Sequence, residues 1–270
     1  VVSFNRSQPK LLTRRTFIKH AVIPDVQAKD GVDFKYLTKI GKYLVEKKPD
    51  KWICLGDFAD MPSLSSYDVG KKSFEGRRYV NDLRAAKDAM DALLAPLQDF
   101  NAKAKKNKEK QYHPELTLTL GNHENRINRA INDDPKLEGV LSVDALGYEA
   151  YGWNVVPFLD VVVIDGIAYS HYFTSGLLGR PISTASACLT KKHMSCIQGH
   201  QQGLQIATSY KADGTRLTSV IAGSCYEHNE DYMSSQGNKH WRGFLMLHDV
   251  KDGEFDMMSV SLDYINKRYD

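Results

Sequence analysis

The sequence predicts an α/β fold: two packed, mixed β-sheets flanked by helices, in one domain of residues 1–270. Three observations carry this. The first half alternates short apolar runs of strand length with longer stretches of helical spacing, which argues for parallel strands joined by helices. The second half changes to closely spaced strand-like runs separated by Asp-Gly pairs, which argues for hairpins. A hydrophobic content of 42% against 26% charged residues is enough for a sizeable core.

The elements follow in order. Residues 20–25 read as a short buried strand, and residues 34–48 as a helix with Phe34, Leu37, Ile40, Leu44 and Val45 along one face. Residues 52–55 form a second strand that runs into Gly56-Asp57. A long helix over 77–106 shows Leu83, Ala86, Met90, Leu93, Leu94 and Leu97 at helical spacing. Residues 116–120 form a third strand ending at Gly121-Asn122. Runs at 154–158, 160–164 and 167–171 read as closely spaced strands, with Asp165-Gly166 as a hairpin turn. Asp213-Gly214 and Asp252-Gly253 mark two more hairpins, and residues 241–244 anchor the last one in the core.

Net charge is only +3, so nothing global demands a nucleic-acid or membrane partner. No apolar run approaches the length of a membrane span, and no signal-peptide core opens the chain. Cys54, Cys188, Cys196 and Cys225 form no C-x-x-C pair. They read as small buried thiols, and a cytoplasmic protein is expected. A helical insertion at about 61–115 is more basic than the rest, from Lys71 to the run 103–110. It reads either as a solvated helix with a frayed end or as a cap that attracts a polyanion.

Polar residues gather where strands end, the place where open α/β sheets bind ligands. Asp25 and Gln27 follow the first strand; Asp57 and Asp60 follow the second; Asn122, His123 and Glu124 follow the third. His171 ends a later strand, and His200 and Gln202 follow Gly199. Singly, each is a common turn, cap or structural residue. Together, carboxylate, amide oxygen and imidazole make a donor set for Mn, Fe, Zn or Mg. Gly56, Gly121 and Gly199 are expected to let the backbone turn sharply at each strand end.

These blocks resemble the calcineurin-like metallophosphoesterases, whose pattern is D-x-H, G-D-x-x-D, G-N-H-[DE], a lone His, then G-H-x-H. All five occur in order between Asp25 and Gln202. The stretches 67–78, 170–179 and 223–228 are also similar to phosphoesterases of tailed bacteriophages, which would place the protein in a host cytoplasm. The resemblance implies an αββα sandwich and one or two divalent ions, Mn first, with Mg, Fe and Zn as alternatives. It implies that Asp57 bridges two metals, that Asn122, His171 and His200 complete the second, and that Asp25 binds the first. His123 would stand over the substrate as proton donor or phosphate-stabilising group, oriented by Asp60. The implied chemistry is attack of a metal-bound hydroxide on a phosphate ester.

Two positions depart from the pattern, and both concern the first metal: Gln27 and Gln202 stand where histidines are expected. Each glutamine offers a carbonyl oxygen in place of imidazole nitrogen, which suits Mg or Mn and binds more weakly. The expectation is a phosphomonoesterase or phosphodiesterase with an altered first site, acting on nucleotides or nucleic acid among other phosphate esters. The alternative is a catalytically impaired binding module on the same fold. Arg126 reads either as a phosphate clamp or as a surface salt bridge. Arg180, Lys191, Lys192 and His193 read chiefly as solvated surface, and His228 and His240 as structural or surface groups.

Overall fold

The computed structural model describes residues 17–230 and 233–270. The first half runs β1 (Ile18–Ile23), α1 (Lys35–Lys47), β2 (Lys51–Cys54), α2 (Tyr79–Asn107), β3 (Glu115–Thr119), α3 (Arg126–Asp133) and β4 (Asn154–Val156). Next come β5 (Val162–Ile164), β6 (Ile167–Ser170), a small hairpin of β7 (Thr174–Ser175) and β8 (Arg180–Pro181), and α4 (Ala185–Lys192). The chain then continues through β9 (Cys196–Gln198), β10 (Leu204–Tyr210), β11 (Arg216–Ala222), β12 (Gly243–Lys251), β13 (Glu254–Ser261) and α5 (Leu262–Arg268).

Two mixed sheets result. One has the order β13-β12-β1-β2-β3-β4, with β1 to β4 parallel and the final hairpin antiparallel beside them. The other has the order β10-β11-β9-β6-β5, with β11, β9 and β6 parallel. The Asp-Gly pairs at 165–166, 213–214 and 252–253 sit at hairpins, between β5 and β6, β10 and β11, and β12 and β13. The run at 154–158 forms a strand over Asn154–Val156. It pairs with β3 at the edge of the first sheet, not with β5 and β6, because its apolar side chains continue the helix-facing core.

Strand alternation explains the layers. In β1, Ala21 and Ile23 pack under α1 and α2 while Val22 faces the second sheet; in β2, Trp52 and Cys54 face helices while Ile53 faces inward. Ile167, Tyr169, Ile197 and Val220 answer from the second sheet, and Ala168 and Cys196 turn outward to meet Cys188 of α4. Each fully buried aliphatic side chain here contributes about 2 kcal/mol. All four thiols are buried and free, and no helix among the described residues is long and apolar enough to cross a membrane. At the strand starts a polar link ties the sheets together: His20 contacts the Tyr169 hydroxyl at 2.7 Å and Asp165 at 2.9 Å.

Candidate metal centre

The parallel strands of both sheets deliver their C-terminal ends to one rim, and the loops that follow are knitted together. Gln27 N–H donates to Asp57 O, Ala28 N–H to Phe58 O, and Asp60 N–H to Ala28 O, at 2.8–2.9 Å. Glu124, fully buried, accepts from the backbone of Asp57 (3.0 Å), Ala59 (2.9 Å) and Gly121 (2.8 Å), and from the Tyr148 hydroxyl. One carboxylate thus gathers two loops, although burial and the charge of Asp57 push its pKa up.

The backbone is strained at the site residues themselves. Gln27, Asp57, His200 and Gln202 have φ of 47°, 46°, 69° and 60°, left-handed values that cost a non-glycine residue about 1 kcal/mol or more. Of the three flanking glycines only Gly56 is left-handed. Gly121 and Gly199 serve a different purpose from the one expected. A Cβ would fall 2.1 Å from Asp57 Oδ1 at Gly121 and 2.3 Å from Asp25 Oδ1 at Gly199, so both are needed for close approach to a carboxylate.

One side of the site converges on His171. Its Nδ1 lies 2.7 Å from the Leu55 carbonyl, which can only accept, so Nδ1 carries a proton. Its Nε2 then faces Asn122 Oδ1 at 2.8 Å and Asp57 Oδ2 at 3.3 Å. Donor atoms of Asp57, His171 and His200 all lie within 4.8 Å of one another. The acceptors gathered around His171 Nε2 draw positive charge to one point, and this donor set fits a divalent metal. The electrostatics agree. Burial opposes a charge on His171, but Asp57 overrides it and lifts the imidazole to about 9. Burial would raise Asp57, yet His123 and His171 hold it well below the usual carboxylate range. Burial and the neighbouring His171 push His200 down to about 4, leaving it neutral.

The other side is built differently. Asp25 is fully buried, and burial, reinforced by Asp57 against the pull of His171, lifts it to about 7. His200 N–H donates to Asp25 Oδ1 at 3.0 Å and Oδ2 at 3.1 Å, and Gln202 Nε2 donates to Oδ2 at 2.9 Å. The Tyr226 hydroxyl donates to Gln202 Oε1 at 2.8 Å. The sequence reading expects Gln202 to turn its carbonyl oxygen toward a metal; here the amide stands the other way. That oxygen faces Tyr226, and the amide nitrogen, with no lone pair to give, faces the carboxylate. Gln27 is buried and lines the same cavity.

His123 stands between the two sides. Its N–H donates to Asp57 Oδ1 at 2.8 Å, and its Nε2 lies 3.7 Å from Asp57 Oδ2. Its Nδ1 sits 2.8 Å from Asp60 Oδ1, at an angle short of a hydrogen bond. Burial works against a proton on this ring, but Asp57 and Asp60 raise its pKa on balance. Arg126 is paired with Asp60: Nη1 donates to its backbone oxygen at 2.7 Å and lies 3.4 Å from its Oδ1.

A cavity of about 550 Å³ opens over these groups, lined by Asp57, Asn122, His123, His200 and Arg126, and from the segment before α2 by Ser65, Tyr67, Asp68 and Lys71. The basic run 103–110 lies elsewhere, at the strand starts: Asn101 bonds Tyr112, whose hydroxyl meets Pro49 and Trp52. Arg180, Lys191, Lys192 and His193 do not line the cavity. His228 pairs with Glu230 at 2.6 Å, and His240 with Ser224 at 2.7 Å. Sequence reasoning missed Tyr226 and the anchoring role of Glu124; the acidic residue ending the G-N-H-E block was the available signal for Glu124.

No protein-family model matches the chain, and no curated protein matches it. Among solved structures that do match is a conserved protein of Streptococcus pneumoniae TIGR4 described as a predicted phosphoesterase. It is 10% identical, with 92% of this chain and 91% of that one covered, at a TM-score of 0.33.

Proposed function

We propose that this chain is a metal-dependent phosphoester hydrolase. The observation that carries the reading is the convergence of Asp57, Asn122, His171 and His200 on one centre, with His123 beside it and a cavity open above. A divalent ion held there supplies Lewis acidity for phosphoryl transfer to water. The chain's own residues do the rest. His123 carries a proton at Nε2 toward the cavity and delivers it to the leaving oxygen. Asp60, beside Nδ1, keeps that nitrogen protonated and fixes the ring's orientation. Arg126 and Lys71 line the cavity and offset phosphate charge.

The finer reading is as follows. A mixed set of carboxylate, amide and imidazole donors accepts Mn, Fe, Zn or Mg, and Mn is the ion we propose. Tyr67, 77% exposed on the cavity wall beside Lys71, suits a nucleotide or nucleic-acid phosphate better than a small ester. Buried free thiols suit the cytoplasm, a host's if the likeness to phage enzymes holds. A binding module is the second reading, favoured by the closure of Asp25 within hydrogen bonds. The test is hydrolysis of bis-p-nitrophenyl phosphate and p-nitrophenyl phosphate with Mn, Mg or no metal. Metal-dependent release that His123→Ala abolishes is expected. Metal uptake without release from either ester would favour the binding module.

A further inference from the structure

Asp25 and Asp57 are both buried, 0% and 1% exposed, and each feels the other's charge. Two such carboxylates ordinarily call for two compensating positive partners. Asp57 meets the converging donors of the His171 side. Asp25 is met by neutral N–H donors instead. His200 N–H reaches both of its oxygens, Gln202 Nε2 reaches Oδ2, and the backbone of Gly199 closes on Oδ1 so tightly that no Cβ fits.

The amide is also held in that sense. For Gln202 to present oxygen to a cation it must turn over, which sets Oε1 against Asp25 Oδ2 and reverses the Tyr226 hydroxyl from donor to acceptor, its proton left to the weaker Met233 Sδ at 3.8 Å. Tyr226 is not free to follow. Its ring is fully buried, stacks on His228 with centroids 4.6 Å apart, and lies under the Arg242 guanidinium at 5.0 Å.

We infer that this chain takes a single divalent ion, and that the Gln202 amide, locked by Tyr226, occupies the place of a second one beside Asp25. The inference rests on the proposed metal-dependent reading and narrows it. Gln202 and Tyr226 are positioning residues here: they set the charge around Asp25 without touching the ion. Turning the amide loses the hydrogen bond to Asp25, which weakens a second ion at that place by about a factor of ten.

The test is titration of the metal-free full chain with Mn²⁺ by calorimetry, with electron paramagnetic resonance of the loaded protein. The wild type should take one tight equivalent and give the hyperfine pattern of an isolated ion. Gln27→His with Gln202→His should take two and show exchange coupling between them. Tyr226→Phe, a milder change should the double variant not fold, should tighten the second equivalent about tenfold. Two tight, coupled equivalents in the wild type would overturn the inference and leave the hydrolase reading standing. No equivalent at all would overturn both. A second equivalent unmoved by Tyr226→Phe would overturn the lock.

Discussion

The two sides of the site use similar residue types and reach opposite conditions. Around His171, an amide oxygen and a carboxylate oxygen face one imidazole nitrogen. Around Asp25, every oxygen faces an N–H. The first arrangement gathers acceptors that draw a positive charge, and the second meets its carboxylate with neutral donors. What separates them is the direction of two side-chain amides: Asn122 turns its oxygen inward, and Gln202 turns its nitrogen inward.

The comparison breaks most visibly at His171. His171→Ala should abolish metal-dependent hydrolysis and weaken Mn uptake at least about 100-fold, measured by calorimetry. Uptake that survived would place the ion elsewhere. His123→Ala comes next. Turnover should fall about 10²- to 10⁴-fold while Mn affinity stays within a factor of about two, which separates proton delivery from metal binding. Loss of metal along with activity would make His123 a ligand instead.

Glu124→Ala tests the frame beneath both sides. It leaves three buried backbone N–H groups without their acceptor, and urea unfolding should show a loss of about 3 kcal/mol. A loss below about 1 kcal/mol would mean that the loops hold themselves.

The smallest effect belongs to a carboxylate with neither a cation nor several donors. Asp82 is buried and takes one backbone N–H, from Ser63 at 3.0 Å; burial lifts it from 3.8 to about 6. Its folded pKa lies above its unfolded one, so its contribution is fully present below about pH 4 and is lost as pH rises through about 6. Asp82→Asn should therefore gain about 2 kcal/mol over wild type at pH 8 and almost nothing at pH 4. Equal gains at both pH values would remove Asp82 as a measure of what burial alone costs a carboxylate.

Much of this was legible in the chain. Period-two apolar runs ending in Gly-Asp, Gly-Asn and Gly-His marked the strands and the rim, because a residue just past a strand end has few places to point. The Asp57, Asn122, His171 and His200 cluster needed only those strand ends to be neighbours. Other features were not legible, for physical reasons. The sense of the Gln202 amide depends on Tyr226, 24 residues further on. The placement of residues 154–156 depends on which sheet edge was open, and their apolar pattern suits either. The left-handed backbone falls on Gln27, Asp57, His200 and Gln202, where composition would have assigned it to glycine.

The Glu124 anchor has a consequence for how an ion enters. The Asp57 and Gly121 loops are set by that carboxylate before any metal arrives, so capture orders little of the chain and buries little apolar surface. Uptake should then show a heat-capacity change near zero, and its rate should be governed by how fast the incoming ion sheds water rather than by refolding.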